Sequence, residues 1–388
     1  MGYRLACITG AKLMVVEQGR DPREVDSPYA EQVRSRERQI RRRTAWKTQG
    51  TGAQFMAGGR TVLWGQEQDE LPPARIVGLT RGREAGEIVY ALSTGVVAGI
   101  FAQVVDSGTE QRILHDADLR LEDVALSVED EAVAVSLQGK GGSSSIGILR
   151  DDAKGVRAVT DGDVLDRAPR WVPGGVGKVV YATAGIGRNA SGAWSGLAPF
   201  AIQRLSLAAQ ELEVIIADPK FDYIAPVPAS DDVVYAIRRP YQDPHAPAPF
   251  LRVVVDALLF PFRLLFALFG FLSFFTARYT GKPLVTSGNA RQKMADARQM
   301  SVWGNLVNLR QDAEREAESG GRGSARGYEL VRITKSGVEP VARSVLAFDV
   351  APDGAIIYSD GAKIARLADG KSETIAELAG VGHIVVYG

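Results

Sequence analysis

Residues Phe348–Leu378 read FDVAPDGAIIYSDGAKIARLADGKSETIAEL, and they show the clearest repeating pattern in the chain. Four short, partly apolar runs alternate with turns rich in Asp and Gly, the first of which is Pro352-Asp353-Gly354. Runs of this length between such turns are typical of short antiparallel strands. The stretch therefore predicts one four-stranded β-sheet.

Other segments of the chain follow the same order of strands and turns. They begin near residues 86, 121, 168 and 221, so the units are about 35 to 50 residues long, apart from one long insertion. A repeat of that length with four strands per unit is typical of a β-propeller, in which each unit forms one blade. The sequence therefore predicts an all-β protein, a single propeller over residues 1–388.

The two ends of the chain predict how this propeller closes. YRLACITG and KLMVVEQ near the start read as strands without a preceding partner, and HIVVYG at the end reads as a strand without a following one. Pairing them in one shared blade would remove two exposed sheet edges. We therefore expect six four-stranded blades closed by the N-terminal and C-terminal strands, with five or seven blades as alternatives.

Two motifs resemble the repeats of TolB-like propellers. One is Pro-Arg-Trp-x-Pro-x-Gly followed by Val-Tyr, over residues 169–181, and the other is Asp-Val-x-Pro-Asp-Gly followed by Ile-Tyr, over residues 349–358. The resemblance covers about half of the chain in recognisable form. It implies the propeller architecture and says little about activity, because propellers carry many unrelated functions.

Composition excludes some classes of function and location. The 46 basic and 46 acidic residues give a formal net charge of zero, which argues against a nucleic-acid partner. Cys7 is the single cysteine, so an internal disulfide is impossible. The first residues, MGYRLACITG, lack the basic stretch and long apolar run of a secretory signal. We therefore expect a cytoplasmic location.

The first of two predicted helical insertions, residues 21–49, holds an arginine-rich helix. Ser27 would cap its N-terminus, and Pro28 would occupy the first helical position. The arginines form no single stripe, and Glu37 interrupts them, which favours a solvated or salt-bridged face. If the protein attaches to a membrane, we expect acidic lipid to contact Arg34, Arg38, Arg41 and Arg42.

The second insertion, residues 242–325, interrupts the blade that begins at Phe221. It contains a Pro-rich lead-in, the hydrophobic segment 249–275 and a predicted amphipathic helix over about 289–318. We expect Trp303 of this helix to lie at the level of lipid headgroups. The alternative is that the helix packs on the propeller surface.

The hydrophobic segment reads PFLRVVVDALLFPFRLLFALFGFLSFF. A single crossing of a bilayer would place strands of one blade on opposite sides of the membrane. Two crossings would need about 40 apolar residues, which the segment does not offer. The position of the segment within one blade therefore argues against a transmembrane span.

A helix lying within one leaflet fits the segment better. At about 100° per residue, its charged residues fall within about 60° of arc. Such a helix can bury its broad apolar face in the membrane. The alternatives are a hydrophobic groove of a partner or second copy, and packing inside the protein itself. Whether the segment meets a membrane or a partner's groove, the expected contacts are Trp303 and the large apolar side chains of the segment. The latter are Leu258, Phe260, Leu264, Leu265, Phe266, Leu268, Phe269, Phe271, Leu272, Phe274 and Phe275.

No convincing catalytic, cofactor or metal site is visible in the sequence. Residues 185–190, GIGRNA, match a loose dinucleotide motif, but no helix is predicted after them, so a hairpin loop is the better interpretation. His115, His245 and His383 lack the spacing of metal ligands. We therefore assign no catalytic residue, no metal ligand and no cofactor.

These features favour a non-enzymatic scaffold or adaptor. The hydrophobic segment would attach it peripherally, as a monotopic protein, to the cytoplasmic face of a membrane, and the blades would bind an unidentified protein partner. One alternative is a metal-dependent, lactonase-like hydrolase with its site in the propeller channel. Another is a subunit that uses the hydrophobic helix as an interface in a larger assembly.

Overall fold

The computed structural model describes most of the propeller. The described residues are 2–39, 74–242, 299–302, 305–308 and 327–388, apart from short gaps at 11, 34, 37–38, 95–96, 152–154, 190–191 and 193. Residues 1–241 and 300–388 form one compact unit. The four-stranded sheets belong to this unit.

The first half of the unit contains three groups of four strands. In the first, β1 (Arg4–Thr9), β2 (Lys12–Glu17) and β3 (Arg23–Val25) are joined on the side of β1 by the last strand of the chain. The second contains β4 (Arg75–Arg81), β5 (Glu87–Ser93), β6 (Ala98–Val104) and β7 (Thr109–Asp116). The third contains β8 (Leu121–Ser127), β9 (Ala132–Gln138), β10 (Ser144–Arg150) and β11 (Arg157–Ala158).

The second half contains three more groups. One comprises β12 (Val164–Trp171), β13 (Lys178–Arg188), β15 (Ala201–Ser206) and β16 (Glu211–Ile216), with β14 (Trp194–Leu197) paired to the far end of β13. The next comprises β17 (Phe221–Pro228), β18 (Val234–Pro240), β21 (Glu329–Thr334) and β22 (Gly337–Arg343). The last comprises β23 (Ala347–Val350), β24 (Ile356–Ser359), β25 (Lys363–Ala368) and β26 (Lys371–Glu377).

The innermost strand of each group lies next to a central channel. These inner strands are β27 (Val381–Val386), β4, β8, β12, β17 and β23. Each packs against the next in that order, and β23 packs against β27, so they form a closed ring. A single parallel pair, Ser144 with Leu165, also links the third and fourth groups. The all-β fold predicted from the repeats is confirmed.

The hydrophobic core lies between neighbouring sheets. For example, Leu13 and Val15 of the first group pack with Tyr90 and Phe101 of the second. Middle strands such as β5 are apolar over most of their length because both of their faces are covered. Outer strands such as β7 and β26 expose charged side chains, which discourages pairing with another sheet edge.

The last strand of the chain pairs with the first, as the sequence predicts. β27 lies antiparallel to β1, with Leu5 opposite Val386. The Arg4 N–H donates to the Gly388 carbonyl at 2.9 Å, and the Tyr387 N–H donates to the Arg4 carbonyl at 3.0 Å. This pairing closes the ring.

The structure places a helix start at the residues where the sequence predicts one. Helix α1 begins at Pro28, and the Ser27 hydroxyl accepts a hydrogen bond from the Ala30 N–H at 3.1 Å. β3 lies inside the range 21–49 that the sequence assigns to the insertion, and the helix begins only after it. The four arginines expected to contact acidic lipid, Arg34, Arg38, Arg41 and Arg42, lie outside the described residues.

The second insertion differs from its prediction where the structure describes it. β19 (Gln299–Val302) and β20 (Asn305–Asn308) form a two-stranded sheet, so the helix predicted over 289–318 is wrong at these residues. Gly304 lies between the two strands in sequence, and a glycine inside a helix costs about 1 kcal/mol relative to alanine. Trp303 and the hydrophobic segment 249–275 lie outside the described residues. None of the helices in the described part of the chain has the length and apolar character needed to cross a membrane.

Candidate functional site

A cavity of about 530 Å³ lies at one end of the ring of inner strands. We call it the channel mouth. All six inner strands contribute to its lining with residues near their C-terminal ends, namely Arg81, Ser127, Trp171, Pro228, Val350 and Val386. The channel mouth is therefore a concave surface built from every sheet of the ring.

One hydrogen bond crosses the channel. Arg170 on β12 and His383 on β27 both line the mouth, and Arg170 Nη2 lies 2.9 Å from His383 Nε2. β12 and β27 lie three places apart in the ring of six inner strands, on opposite sides of it. The contact therefore spans the channel from one side to the other.

Neighbouring groups hold the Arg170 guanidinium in place. Its Nη1 donates to Asp123 Oδ2 at 3.0 Å and to the Pro169 carbonyl at 2.7 Å. The pairing of β12 with β13 shifts register between Arg167 and Arg170, and Ala168 in this bulge has a φ of 51°. Such bulges change the direction in which a strand presents its side chains, and here the bulge precedes Arg170 directly.

Close packing of β4 against β8 positions Asp123. A methyl group on Gly78 would come within 2.7 Å of the Asp123 Cα, so only glycine allows the two backbones to approach this closely. Asp123 Oδ1 accepts a hydrogen bond from the Val124 N–H at 2.8 Å. The carboxylate that pairs with Arg170 is therefore fixed by its own strand.

His383 is neutral in this arrangement. A guanidinium has only donors, so His383 Nε2 must be the unprotonated, accepting nitrogen. Burial lowers the pKa of His383 to about 4; the charge of Asp123 opposes this shift and that of Arg170 adds to it. The side chain lies deep in the protein yet remains partly accessible from the channel.

Asp349 joins two neighbouring inner strands at the mouth. Its Oδ1 accepts from the Val350 N–H at 2.9 Å, and its Oδ2 accepts from the Val386 N–H on β27 at 2.8 Å. Burial raises the pKa of Asp349 to about 6, although both backbone hydrogen bonds and the charges of Arg170 and Arg81 oppose that shift. The carboxylate thus acts as a link between β23 and β27.

The described residues contain no group of three or more His, Cys, Asp or Glu side chains placed to hold a metal ion. His115 stands edge-on to Tyr29, with ring centroids 5.4 Å apart, on the outer strand β7 and away from His383. His245 lies outside the described residues. Cys7 is buried, and burial raises the pKa of its thiol to about 12.

The second insertion connects β18 to β21, and both of its ends lie at the end of their sheet that is opposite the channel mouth. β18 ends at Pro240, which pairs with Phe221 at the start of β17, whereas the far end of β17 lines the channel mouth. On the return, Glu329 pairs with Arg238, and a methyl group on Gly327 would lie 3.4 Å from Pro240 Cδ. We call this end, where the inner strands begin, the exit face. It is roughly 20 Å from the channel mouth along β17.

A buried ion pair connects strands at the exit face. Arg239 Nε lies 2.9 Å from Asp222 Oδ2, and both side chains are less than a tenth exposed. Asp222 Oδ1 also accepts from the Phe200 N–H at 2.9 Å, and Arg239 Nη1 donates to the Tyr328 hydroxyl at 3.1 Å. The contacts tie β17 and β18 to the preceding sheet and to the residue before β21.

The sequence patterns alone assign none of the residues at the channel mouth to a site, namely Asp123, Arg170, Asp349 and His383. Arg170 and Asp349 lie within the two motifs used to identify the repeats, so their presence near strand ends was visible in the sequence. Their convergence was not visible, because it depends on the order of strands around the ring. The residues predicted to contact membrane or partner, in the segment 249–275, lie outside the described residues.

Comparison with known proteins identifies the fold. No protein-family model and no curated protein sequence matches the chain. TolB from Acinetobacter baumannii is similar in structure, with a TM-score of 0.50 and 11% identity over 99% of this chain; the chain spans 66% of that TolB's length. A chain of the nidogen/laminin complex scores 0.48 at 9% identity, covering 99% of this chain and 98% of that one. A TolB from Agrobacterium tumefaciens scores 0.40 at 12% identity, covering 64% and 69%.

The likeness to TolB shows that this chain has a TolB-like β-propeller architecture, as its repeat motifs predict. At such low identity the comparison shows the fold alone, since propellers with the same architecture carry unrelated functions.

Proposed function

We propose that this protein is a non-enzymatic adaptor attached to the cytoplasmic face of a membrane. The hydrophobic segment 249–275 attaches it peripherally, and the face that carries the channel mouth binds a protein partner. The observation that carries the proposal is the placement of the second insertion. The described chain leaves after Tyr241 and returns at Gly327 on the exit face, opposite the channel mouth.

The meeting of these two ends favours attachment within one leaflet. Strands β18 and β21, on either side of the insertion, are hydrogen-bonded neighbours, so both lie on the same side of any membrane. A segment that crosses once cannot return to the same side. Burying even eight of its Leu and Phe side chains would give well over about 10 kcal/mol of gross driving force. Peripheral attachment therefore needs no transmembrane span.

The same placement supports one orientation of the propeller relative to the membrane. Only residues 242–248 separate Tyr241 from the hydrophobic segment, and seven residues reach at most about 25 Å. A bilayer that receives the segment therefore lies close to the exit face. The channel mouth then points away from the membrane, where a cytoplasmic protein can reach it.

Cell fractionation with matched variants tests the membrane attachment. Wild type is expected in the membrane fraction until detergent is added, and a variant lacking residues 249–278 is expected in the supernatant. Leu265 lies opposite the charged stripe of the predicted helix, whereas Gly270 lies within it. Leu265→Asp should therefore weaken membrane binding by about a hundredfold, because a charge in the membrane interior costs about 3 kcal/mol, while Gly270→Asp should bind as wild type does.

Two results would overturn the proposal. Wild type that is monomeric in the supernatant without detergent would exclude both membrane attachment and a hydrophobic partner groove. Wild type that leaves the membrane fraction in a stable complex with another protein would show that the hydrophobic segment binds that protein instead of lipid.

A further inference from the structure

The exit face carries a hairpin that projects beyond its sheet. β13 has 11 residues, and Gly185 is the last to pair near the start of β12, with Val164. The Ile186 N–H still donates to the Asp163 carbonyl at 2.8 Å, just before β12. On its other side the strand continues in a pair with β14, where Ile186 lies opposite Leu197 and Arg188 opposite Trp194. Because the inner strands begin at the exit face, the β13–β14 hairpin extends outward from that face.

Trp194 on this hairpin is unusually exposed for its size. Its side chain is 63% accessible. The indole N–H donates to the Gly196 carbonyl at 2.7 Å, so the polar atom has a partner within the hairpin while the apolar ring faces solvent. In membrane proteins, tryptophan is enriched where the membrane meets water, because its amphipathic ring lies at the level of the headgroups.

The hairpin lies next to the point where the insertion leaves. The Tyr241 hydroxyl donates to the carbonyl of Leu197, the last residue of β14. Trp194 lies three residues away on the same strand, a distance of about 10 Å. The reach of about 25 Å from Tyr241 to the hydrophobic segment therefore brings a bilayer that holds the segment within range of the hairpin.

We propose that the β13–β14 hairpin is a second membrane contact, in which the Trp194 ring enters the headgroup region of the bilayer. The proposal rests on the membrane attachment proposed above. We expect the hairpin to contact lipid whatever its headgroup charge, because the Arg188 guanidinium on the hairpin is already paired with Asp163 at 2.6 Å. Two contacts on one face would hold the propeller at one tilt, whereas a single tether would let it turn.

Fluorescence quenching tests this contact on the full chain. The protein is mixed with phosphatidylcholine vesicles whose acyl chains carry bromine, which quenches nearby tryptophan. Wild type is expected to lose more emission than Trp194→Phe, because the variant lacks one of the tryptophans expected at the lipid surface. Trp194→Ser is expected to weaken vesicle binding by roughly threefold to tenfold. Leu212→Ser, which alters a 55% exposed side chain on the outer strand β16, should bind as wild type does.

The outcomes separate this inference from the attachment itself. Vesicle binding that depends on residues 249–278, with equal quenching in wild type and Trp194→Phe, would overturn the hairpin contact and leave the attachment standing. Absence of vesicle binding in wild type would overturn both. A self-association that Trp194→Ser abolishes, with no quenching by lipid, would assign the hairpin to a second copy and contradict the lipid contact. Thermal unfolding of each variant checks that the fold is intact.

Discussion

At the scale of single residues, the channel is crossed by a neutral histidine and a paired arginine. Arg170 keeps its charge because Asp123 balances it, and His383 accepts its hydrogen bond without carrying a charge of its own. A buried charge without a partner would cost several kcal/mol, so each member of this network depends on the others. The network joins opposite sides of the ring.

Two residues of the mouth respond to pH in opposite directions. The pKa of Asp349 is raised to about 6 from its ordinary 3.8, so its protonated form contributes stability that is present below about pH 4 and lost as pH rises through 6. The pKa of His383 is lowered to about 4 from 6.5, so its contribution is present above about pH 6.5 and lost as pH falls through 4. Between pH 4 and 6.5 the two effects oppose each other.

Single substitutions should therefore expose opposite slopes. We expect the free energy of unfolding of Asp349→Asn to rise with pH between 4.5 and 6.5, because Asp349 then no longer opposes the effect of His383. We expect that of His383→Gln to fall over the same interval, because His383 then no longer opposes the effect of Asp349. Over this interval the free energy of unfolding of each variant should change by at most about 3 kcal/mol. Urea unfolding at pH 4.5, 5.5, 6.5 and 7.5 measures both.

Asp353→Asn is a control for this experiment. Asp353 is exposed, and its hydrogen bond from Tyr3 lowers its pKa, so removing it should not produce a stability that falls as pH rises. Parallel pH profiles for Asp349→Asn and His383→Gln would contradict the assignment of the two groups.

At the scale of elements, the pairing of β27 with β1 holds the ring closed. β27 and the residue after it bury Val381, Ile384, Val385, Val386 and Tyr387. At roughly 1.5–3 kcal/mol for each large apolar side chain, their loss would remove about as much free energy as a whole domain commonly has. The last strand is therefore essential to the fold.

Deletion and circular permutation of the chain test this element. A variant that lacks residues 381–388 is expected to lose cooperative unfolding. A permutant that joins Gly388 to Gly2 through a short Gly-Ser linker and opens the exposed turn at Gly108 should keep it, because the joined ends already lie side by side. Differential scanning calorimetry distinguishes the two, and a permutant without a cooperative transition would count against the observed closure.

Elements with a strong local pattern were predictable, and others were not. The capped start of α1 followed from Ser27 and Pro28, and the paired end strands followed from their lack of other partners. β3 has only three residues, too few for a strand pattern to stand out. Residues 299–308 carry apolar side chains at helical spacing, yet Gly304 interrupts them, and the strand alternative was missed.

At the scale of the whole molecule, the propeller presents two faces with different features. One carries the channel mouth, and the other carries the ends of the second insertion and the β13–β14 hairpin.

The face on which the second insertion lies can be predicted by counting strands. All inner strands begin at the exit face, so the connection between the second and third strands of any sheet lies there. The cluster at the channel mouth needed the ring itself, because it joins strands that are far apart in sequence.

The distance of each face from the bilayer is the decisive measurement for membrane attachment through the exit face. A donor dye is attached to Lys220→Cys on the exit face or to Ser230→Cys at the turn after β17, and acceptor lipids are included in the vesicles. Both positions are exposed, and native Cys7 is buried, so only the introduced thiol should be labelled. β17, which separates the two positions, spans roughly 25 Å. Attachment through the exit face predicts strong energy transfer from position 220 and weak transfer from position 230, whereas equal or reversed transfer, or no vesicle binding, would contradict such attachment.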